Sequence, residues 1–189
     1  PQEEQLRSLA KKWEHEESNL FTSGPSNDYG YSLDELLESD VFEEDKSVHN
    51  GSSIAFLIES GDAKALFLGD AHAPTICTSL RNLGYSEEEP LTVGLCKLSH
   101  HGSKANTSME LLSLIKSEVF IVSTNGLRHG LPNKRTIARI KSVSPNSSVL
   151  FNYPGLKERM FNSVELNELG PLVQVIQGVI ALCCWSNKN

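Results

Sequence analysis

Short apolar runs of strand length alternate with stretches of helical period along residues 54–152, and this alternation constrains the fold more than any other feature of the chain. The run at 64–68 is followed by Ile76, Leu80 and Leu83 on one helical face, and then by an apolar run at 91–98. Leu111, Leu112 and Ile115 mark the next helix and residues 119–123 the next strand; a helix at 134–143, opened by Pro132 and Asn133, leads to a strand at 148–152. Strands separated by a helix pair in parallel, because only a crossover of that length returns the chain to the same end of the sheet. Residues 54–59 and 64–68 are joined by the short Ser60-Gly61-Asp62-Ala63 and form a hairpin instead. The expected class is α/β (α+β), and 189 residues suit a single core.

Local signals set the element ends. Ser32 with Glu35 is a capping box for a short helix through Leu37, Thr107 with Glu110 is another, and Gly84 suits a helix end. Upstream, residues 3–17 alternate charges around Leu6, Leu9 and Trp13 as an amphipathic helix, and residues 22–31 read as a loop. The formal net charge of −7 is uneven. Residues 1–50 hold 13 acids and 4 bases, an acidic arm, whereas the remainder holds 11 acids and 13 bases.

The most apolar window, 172–185, is 14 residues long and contains Gln174 and Gln177. A membrane helix needs about 20 apolar residues, so the window is read as a pair of buried strands and no membrane partner is expected. Cys77, Cys96, Cys183 and Cys184 lie in apolar stretches without Cys-x-x-Cys spacing and read as buried free thiols. Together with an opening Pro-Gln-Glu-Glu that lacks a secretory pattern, they predict a cytoplasmic protein. Asn50, Asn106 and Asn146 stand in Asn-x-Ser/Thr sequences, read as chance matches to glycosylation acceptors.

Three strand ends carry the chemistry. The run at 65–68 ends in Gly69-Asp70, the run at 95–98 in Ser99-His100-His101-Gly102-Ser103, and the strand at 119–123 leads to Asn125-Gly126-Leu127-Arg128-His129. Carboxyl ends of parallel strands are where α/β proteins bind ligands. Adjacent residues at a strand end point to opposite faces, so one imidazole of the His100/His101 pair faces the cleft and the other is structural. Imidazole and carboxylate suit zinc or manganese, a metal-bound water is a nucleophile at neutral pH, and an unligated His can protonate a leaving oxygen. His72, at the head of a helix, is a further possible ligand. Lys97, Lys104, Arg128, Lys134 and Arg135 flank these loops, a cationic rim that favours a phosphate-bearing substrate.

Asn50-x-Ser52-Ser53, Leu68-Gly69-Asp70, Leu98-Ser99-His100-His101-Gly102-Ser103 and His129 followed by Pro132 occur in an order that resembles the second half of the metallo-β-lactamase fold. The likeness covers about residues 48–152 and is strongest to the branch typified by the hydrolase domain of DNA-uptake competence channel proteins. It implies the C-terminal half of an αββα sandwich that hydrolyses with two divalent metals, Zn or Mn. In that scheme Asp70 is the bridging ligand and His129 the last ligand of the second metal. His100 or His101 donates a proton or holds a phosphate, and Ser103 supports their loop. Lys97, Lys104 and Arg128 bind the phosphodiester, nucleic acid or another. The family's first block, His-x-His-x-Asp-His or its Asp-substituted form, is absent from this sequence, as is the His that precedes the Gly-Asp strand.

Residues 48–189 are therefore expected to be the C-terminal half-domain and residues 1–47 an acidic insertion. The partner is the missing N-terminal half, and the chain alone binds metal weakly or not at all. One face of the sheet should lack its partner layer. Two other readings stand beside this one: a non-catalytic half-fold that serves as a binding or regulatory module, and a mononuclear site from Asp70, His72, His129 and one of His100 and His101.

Overall fold

A computed structural model describes residues 27–127 and 129–176. The helix expected at 3–17, Cys183, Cys184, Arg128 and the apolar window beyond 176 lie outside the described residues. The protein is α/β, and the described residues form a six-stranded, mostly parallel sheet. Strands β1 (Phe56–Ser60) and β2 (Ala63–Phe67) form the antiparallel hairpin. Helix α3 (Ala73–Asn82) then leads to β3 (Leu91–Lys97), and the short α4 (Met109–Ser113) to β4 (Ile115–Val122). Helix α5 (Lys134–Val143) leads to β5 (Ser148–Phe151). Helices α6 (Leu156–Met160) and α7 (Ser163–Leu169) precede β6 (Val173–Val175), the last of the described strands. Among the described residues two short helices come before the sheet: α1 (Leu33–Glu38), with the expected Ser32/Glu35 capping box, and α2 (Val48–Gly51).

Spatial order follows sequence order from β1 to β6, and β2 to β6 are parallel. Crossovers of one hand that always step the same way deliver their helices to the same face of the sheet. Burial agrees. The register row Leu66, Cys96, Phe120, Val149 and Val173 is buried. It packs in one core with Ile76 and Leu80 of α3 and Ile137 and Ile140 of α5. Cys77 and Cys96 are free and buried, as expected, and burial pushes the Cys96 thiol up to about 12.

On the opposite face the row Phe67, Lys97, Ile121, Leu150 is half-buried. On β1, Phe56 and Ile58 are 49% and 50% exposed, and Phe56 stacks on Phe67 with centroids 5.1 Å apart.

Two boundaries differ from expectation. The N-cap of α4 is Ser108, whose hydroxyl accepts from the Leu111 N–H at 3.0 Å, and Ile115 opens β4 instead of closing the helix. A Ser one residue later competes with Thr107 for the same job, and parallel pairing with Leu91 takes Ile115 into the sheet. Ser108→Ala is expected to lower stability by about 1 kcal/mol in urea titration, the usual value of a lost cap.

Residues 28–45 pack on the same core: Leu33 and Leu36 are buried there, and α1 lies against α5. The N-terminus of α5 is capped from this segment. Asn133 sits at the N-cap position but its Oδ1 accepts from the Lys104 N–H, so the Asp28 carboxylate, about a hundred residues upstream, accepts from the Lys134 and Arg135 N–H groups at 2.7 and 3.0 Å. Lys134 and Arg135 are corrections to the sequence reading. Lys134 is 1% exposed and pairs with Glu165 at 2.6 Å, while Arg135 binds Asp40 and the carbonyls of Leu36 and Ser39. Neither borders the cleft as a phosphate contact, because the α1 segment and α7 supply the anions that neutralise them.

Candidate functional site

Strands β2, β3 and β4 are neighbours, so the loops at their carboxyl ends meet. The His100 N–H donates to Gly69 O at 2.9 Å, which ties the second loop to the first. His101 Nδ1 lies 2.6 Å from Ser123 O, which ties it to the third. The Asp70 N–H donates to Ser53 Oγ at 2.9 Å, giving the Ser of the Asn50-x-Ser52-Ser53 block a role in holding the Gly-Asp turn. Gly102 O accepts from the Asn133 N–H and the Thr136 hydroxyl at the head of α5.

Among the described residues three non-glycine residues have positive φ, and all three are site histidines picked from the sequence: His100 (41°), His101 (57°) and His129 (59°). A left-handed conformation at a residue with a Cβ costs roughly 1–3 kcal/mol and persists where the surrounding structure enforces it. His100 and His101 are thus not side chains alternating on a strand end, as the sequence suggested. They lie in a 3₁₀ turn, Ser99–His101, after β3, and their rings diverge for that reason, with centroids 6.1 Å apart and planes tilted by 57°.

The two rings have different surroundings. His101 is exposed. His100 is half-buried, with Nδ1 at 3.2 Å from Asn106 Oδ1, 3.3 Å from Asn50 Nδ2 and 3.6 Å from Asp45 Oδ2. Asp45 is the hub: its Oδ2 accepts from Asn50 Nδ2 at 2.6 Å and Asn106 Nδ2 at 3.0 Å, and its Oδ1 from the Ser47 N–H at 2.8 Å. Burial opposes the charge on Asp45, yet those hydrogen bonds and the neighbouring His100 outweigh it and hold the carboxyl below the usual range. His72, at the N-cap position of α3, turns its ring to the same acids, with Nδ1 3.8 Å from Glu44 and Nε2 4.0 Å from Asp45.

Sequence reasoning missed Asp45 and Asn106. Asn106 reads as a chance glycosylation match and Asp45 as one acid of an acidic arm, and the bond between them spans 61 positions. The Asp45-x-Ser47 turn ahead of α2 is the local signal that marks Asp45 as fixed rather than solvated.

The remaining candidates are placed as follows. Asp70 is half-buried at the end of the β2 turn. Its charge acts on Lys97, where burial lowers the ammonium's pKa and Asp70 offsets part of that. Ser103 is buried and its hydroxyl accepts from the Ala105 N–H, a bond that shapes the loop. Lys104 is exposed, and His129 is exposed in the loop after β4. Among the described residues no three His, Cys, Asp or Glu side chains gather closely enough to hold a metal ion. No described helix is long and apolar enough to cross a membrane.

No family model and no solved structure matches the chain. Among curated proteins it is similar to Recombination protein 2 of Haemophilus influenzae, 33% identical over 75 residues. That stretch is 40% of this chain and spans 9% of the relative's length.

Proposed function

We propose that this chain is the C-terminal half of a metal-dependent hydrolase of the metallo-β-lactamase fold, acting on phosphodiesters and active when an N-terminal half supplies the His-x-[His/Asp]-x-Asp-His block. The observation that carries the reading is the strained backbone at His100, His101 and His129, on loops that follow neighbouring parallel strands. Strain of that kind is retained where side chains must be aimed. The open apolar sheet face fits a missing second layer, and the name of the Haemophilus relative fits a nucleic-acid substrate.

In this reading Asp70 and His129 contribute a bridging carboxylate and a terminal imidazole, with His72 as a possible further ligand. The other donors come from the N-terminal half, since the described residues of this chain gather no set of three ligands. A divalent metal in such a centre supplies an activated water. His100 or His101 is then the proton-transfer group, Ser103 holds their loop, and Lys97, Lys104 and Arg128 are the cations for the phosphate. The second reading, a non-catalytic binding module, draws on the same apolar face, which would then receive a partner without completing a site.

The two are separated by joining this chain to its upstream half, measuring metal by elemental analysis and assaying bis(p-nitrophenyl) phosphate and DNA. About two Zn or Mn per assembly with hydrolysis is the expected result. A folded assembly with neither overturns the enzyme reading and leaves the binding module.

A further inference from the structure

The hydrogen bonds around Asp45 determine which nitrogen of His100 carries the proton. Asn106 Nδ2 faces three acceptors: Asp45 Oδ2 at 3.0 Å, Asp70 O at 3.2 Å and Ala71 O at 3.3 Å. Turning this amide over would set its oxygen against all three, so Oδ1 is the atom that faces His100 Nδ1 at 3.2 Å. The same reasoning fixes Asn50, whose Nδ2 donates to Asp45 Oδ2 at 2.6 Å. Nδ1 of His100 thus sees an amide oxygen at 3.2 Å, a carboxylate oxygen at 3.6 Å that acts through its charge, and the Asn50 amide nitrogen at 3.3 Å, one of whose two hydrogens goes to that carboxylate. A hydrogen on Nδ1 meets the Asn106 oxygen and the negative field of Asp45, whereas a bare Nδ1 would set its lone pair against both for one Asn50 N–H, so the hydrogen belongs on Nδ1.

We propose that Asp45, acting through Asn50 and Asn106, is a positioning residue that holds His100 as the Nδ1–H tautomer and presents an unprotonated Nε2 to the site, making His100 rather than His101 the proton-transfer imidazole of the pair. The assignment to a reaction rests on the hydrolase reading, whereas the tautomer itself does not. Both rings direct Nδ1 at an oxygen, but they differ in what stands behind it. His101 has the neutral carbonyl of Ser123, while His100 has a carboxylate that stabilises the imidazolium formed when Nε2 takes a proton. Asp45 also stands 4.0 Å from Nε2 of His72, a buried nitrogen with no hydrogen-bond partner, so the acid lies between two imidazoles and only the His100 side is bridged by amides.

The test is ring ¹⁵N NMR of this chain labelled at histidine, near pH 8.5, about two units above an ordinary imidazole. The expected result is a His100 signal of the Nδ1–H form alone, and in Asp45→Asn a several-fold rise in the Nε2–H form with the backbone amide spectrum otherwise retained. An Nε2–H ring in the unsubstituted chain overturns the proposal without needing any variant to fold. So does an unchanged tautomer in Asp45→Asn. In the completed assembly Asp45→Asn should lower kcat at least tenfold and leave KM unchanged, whereas His101→Gln should leave the tautomer of His100 untouched. If the completed assembly hydrolyses nothing while the ring shows the expected form, the hydrolase reading fails and the positioning role of Asp45 stands.

Discussion

Asp40→Ala is expected to destabilise the chain by about 3–5 kcal/mol, the loss seen when one partner of a buried ion pair is removed. The partner is Arg139 on α5, 1% exposed. Its guanidinium donates from Nε to Asp40 Oδ2 at 2.9 Å and from one terminal nitrogen to Oδ1 at 2.7 Å. The other terminal nitrogen donates to Lys104 O and Thr107 O, both at 2.6 Å, and the ring of Phe42 lies 5.5 Å away. Arg139 therefore clamps the segment that follows His100-His101-Gly102-Ser103 against α5, and Asp40 is the carboxylate that neutralises the clamp. Truncating Asp40 leaves that charge buried and also takes an anion from Arg135, at 3.1 Å.

The same pair predicts acid sensitivity. Burial opposes the charge on Asp40, but the hydrogen bonds and charges of Arg139 and Arg135 prevail and hold its carboxyl below the usual range. A carboxylate depressed in the folded state adds stability that is fully present above its unfolded pKa of about 3.9 and is lost as pH falls through the folded value. Urea midpoints measured from pH 6 downward should therefore drop below about pH 4 in the unsubstituted chain, and by less in Asp40→Ala. A loss under about 1 kcal/mol at neutral pH would instead class the contact with surface ion pairs.

How much of this was legible depended on range along the chain. The strand-helix alternation at 64–151 and the Ser32 capping box are local patterns, and the elements fall where they predict except at the two ends of α4. The three histidines and Asp70 could be picked because they sit at strand ends, a position that sequence reveals. What the sequence hides is partnership. Asp28 capping α5, Asp40 clamping Arg139 and Asp45 behind His100 all come from the acidic segment before α2, which on composition alone reads as a solvated arm. Each acid meets its partner 55 to 106 positions later, beyond any periodicity. Backbone strain is hidden too, since a left-handed His looks like any other in sequence.

Gly69→Ala should produce the second large effect, and it discriminates strain from collision. Gly69 has φ of +55°, and a Cβ there would stand 2.6 Å from Ser53 Oγ and 2.7 Å from Ile54 O. The hydroxyl could rotate away, but Ile54 O is backbone at the start of the hairpin and must move with it. Left-handed alanine costs about 1–2 kcal/mol and forced overpacking roughly 1–3 more, so a total loss of about 2–4 kcal/mol is expected. Gly61→Ala is the control, because Gly61 has φ of +57° and nothing within 4 Å of its would-be Cβ. It should show only the conformational part, about 1–2 kcal/mol. The difference between the two urea midpoints then measures the collision at the Gly-Asp turn, and equal losses would show that the turn yields without resistance. The collision displaces the atoms that matter most to the site. Ser53 Oγ holds the Asp70 N–H, and Gly69 O receives the His100 N–H, so relief of the clash shifts the carboxylate and the imidazole together. On the proposed hydrolase function, Gly69→Ala in the completed assembly should lose activity at temperatures where it remains folded, while Gly61→Ala, at the far end of the hairpin, keeps it.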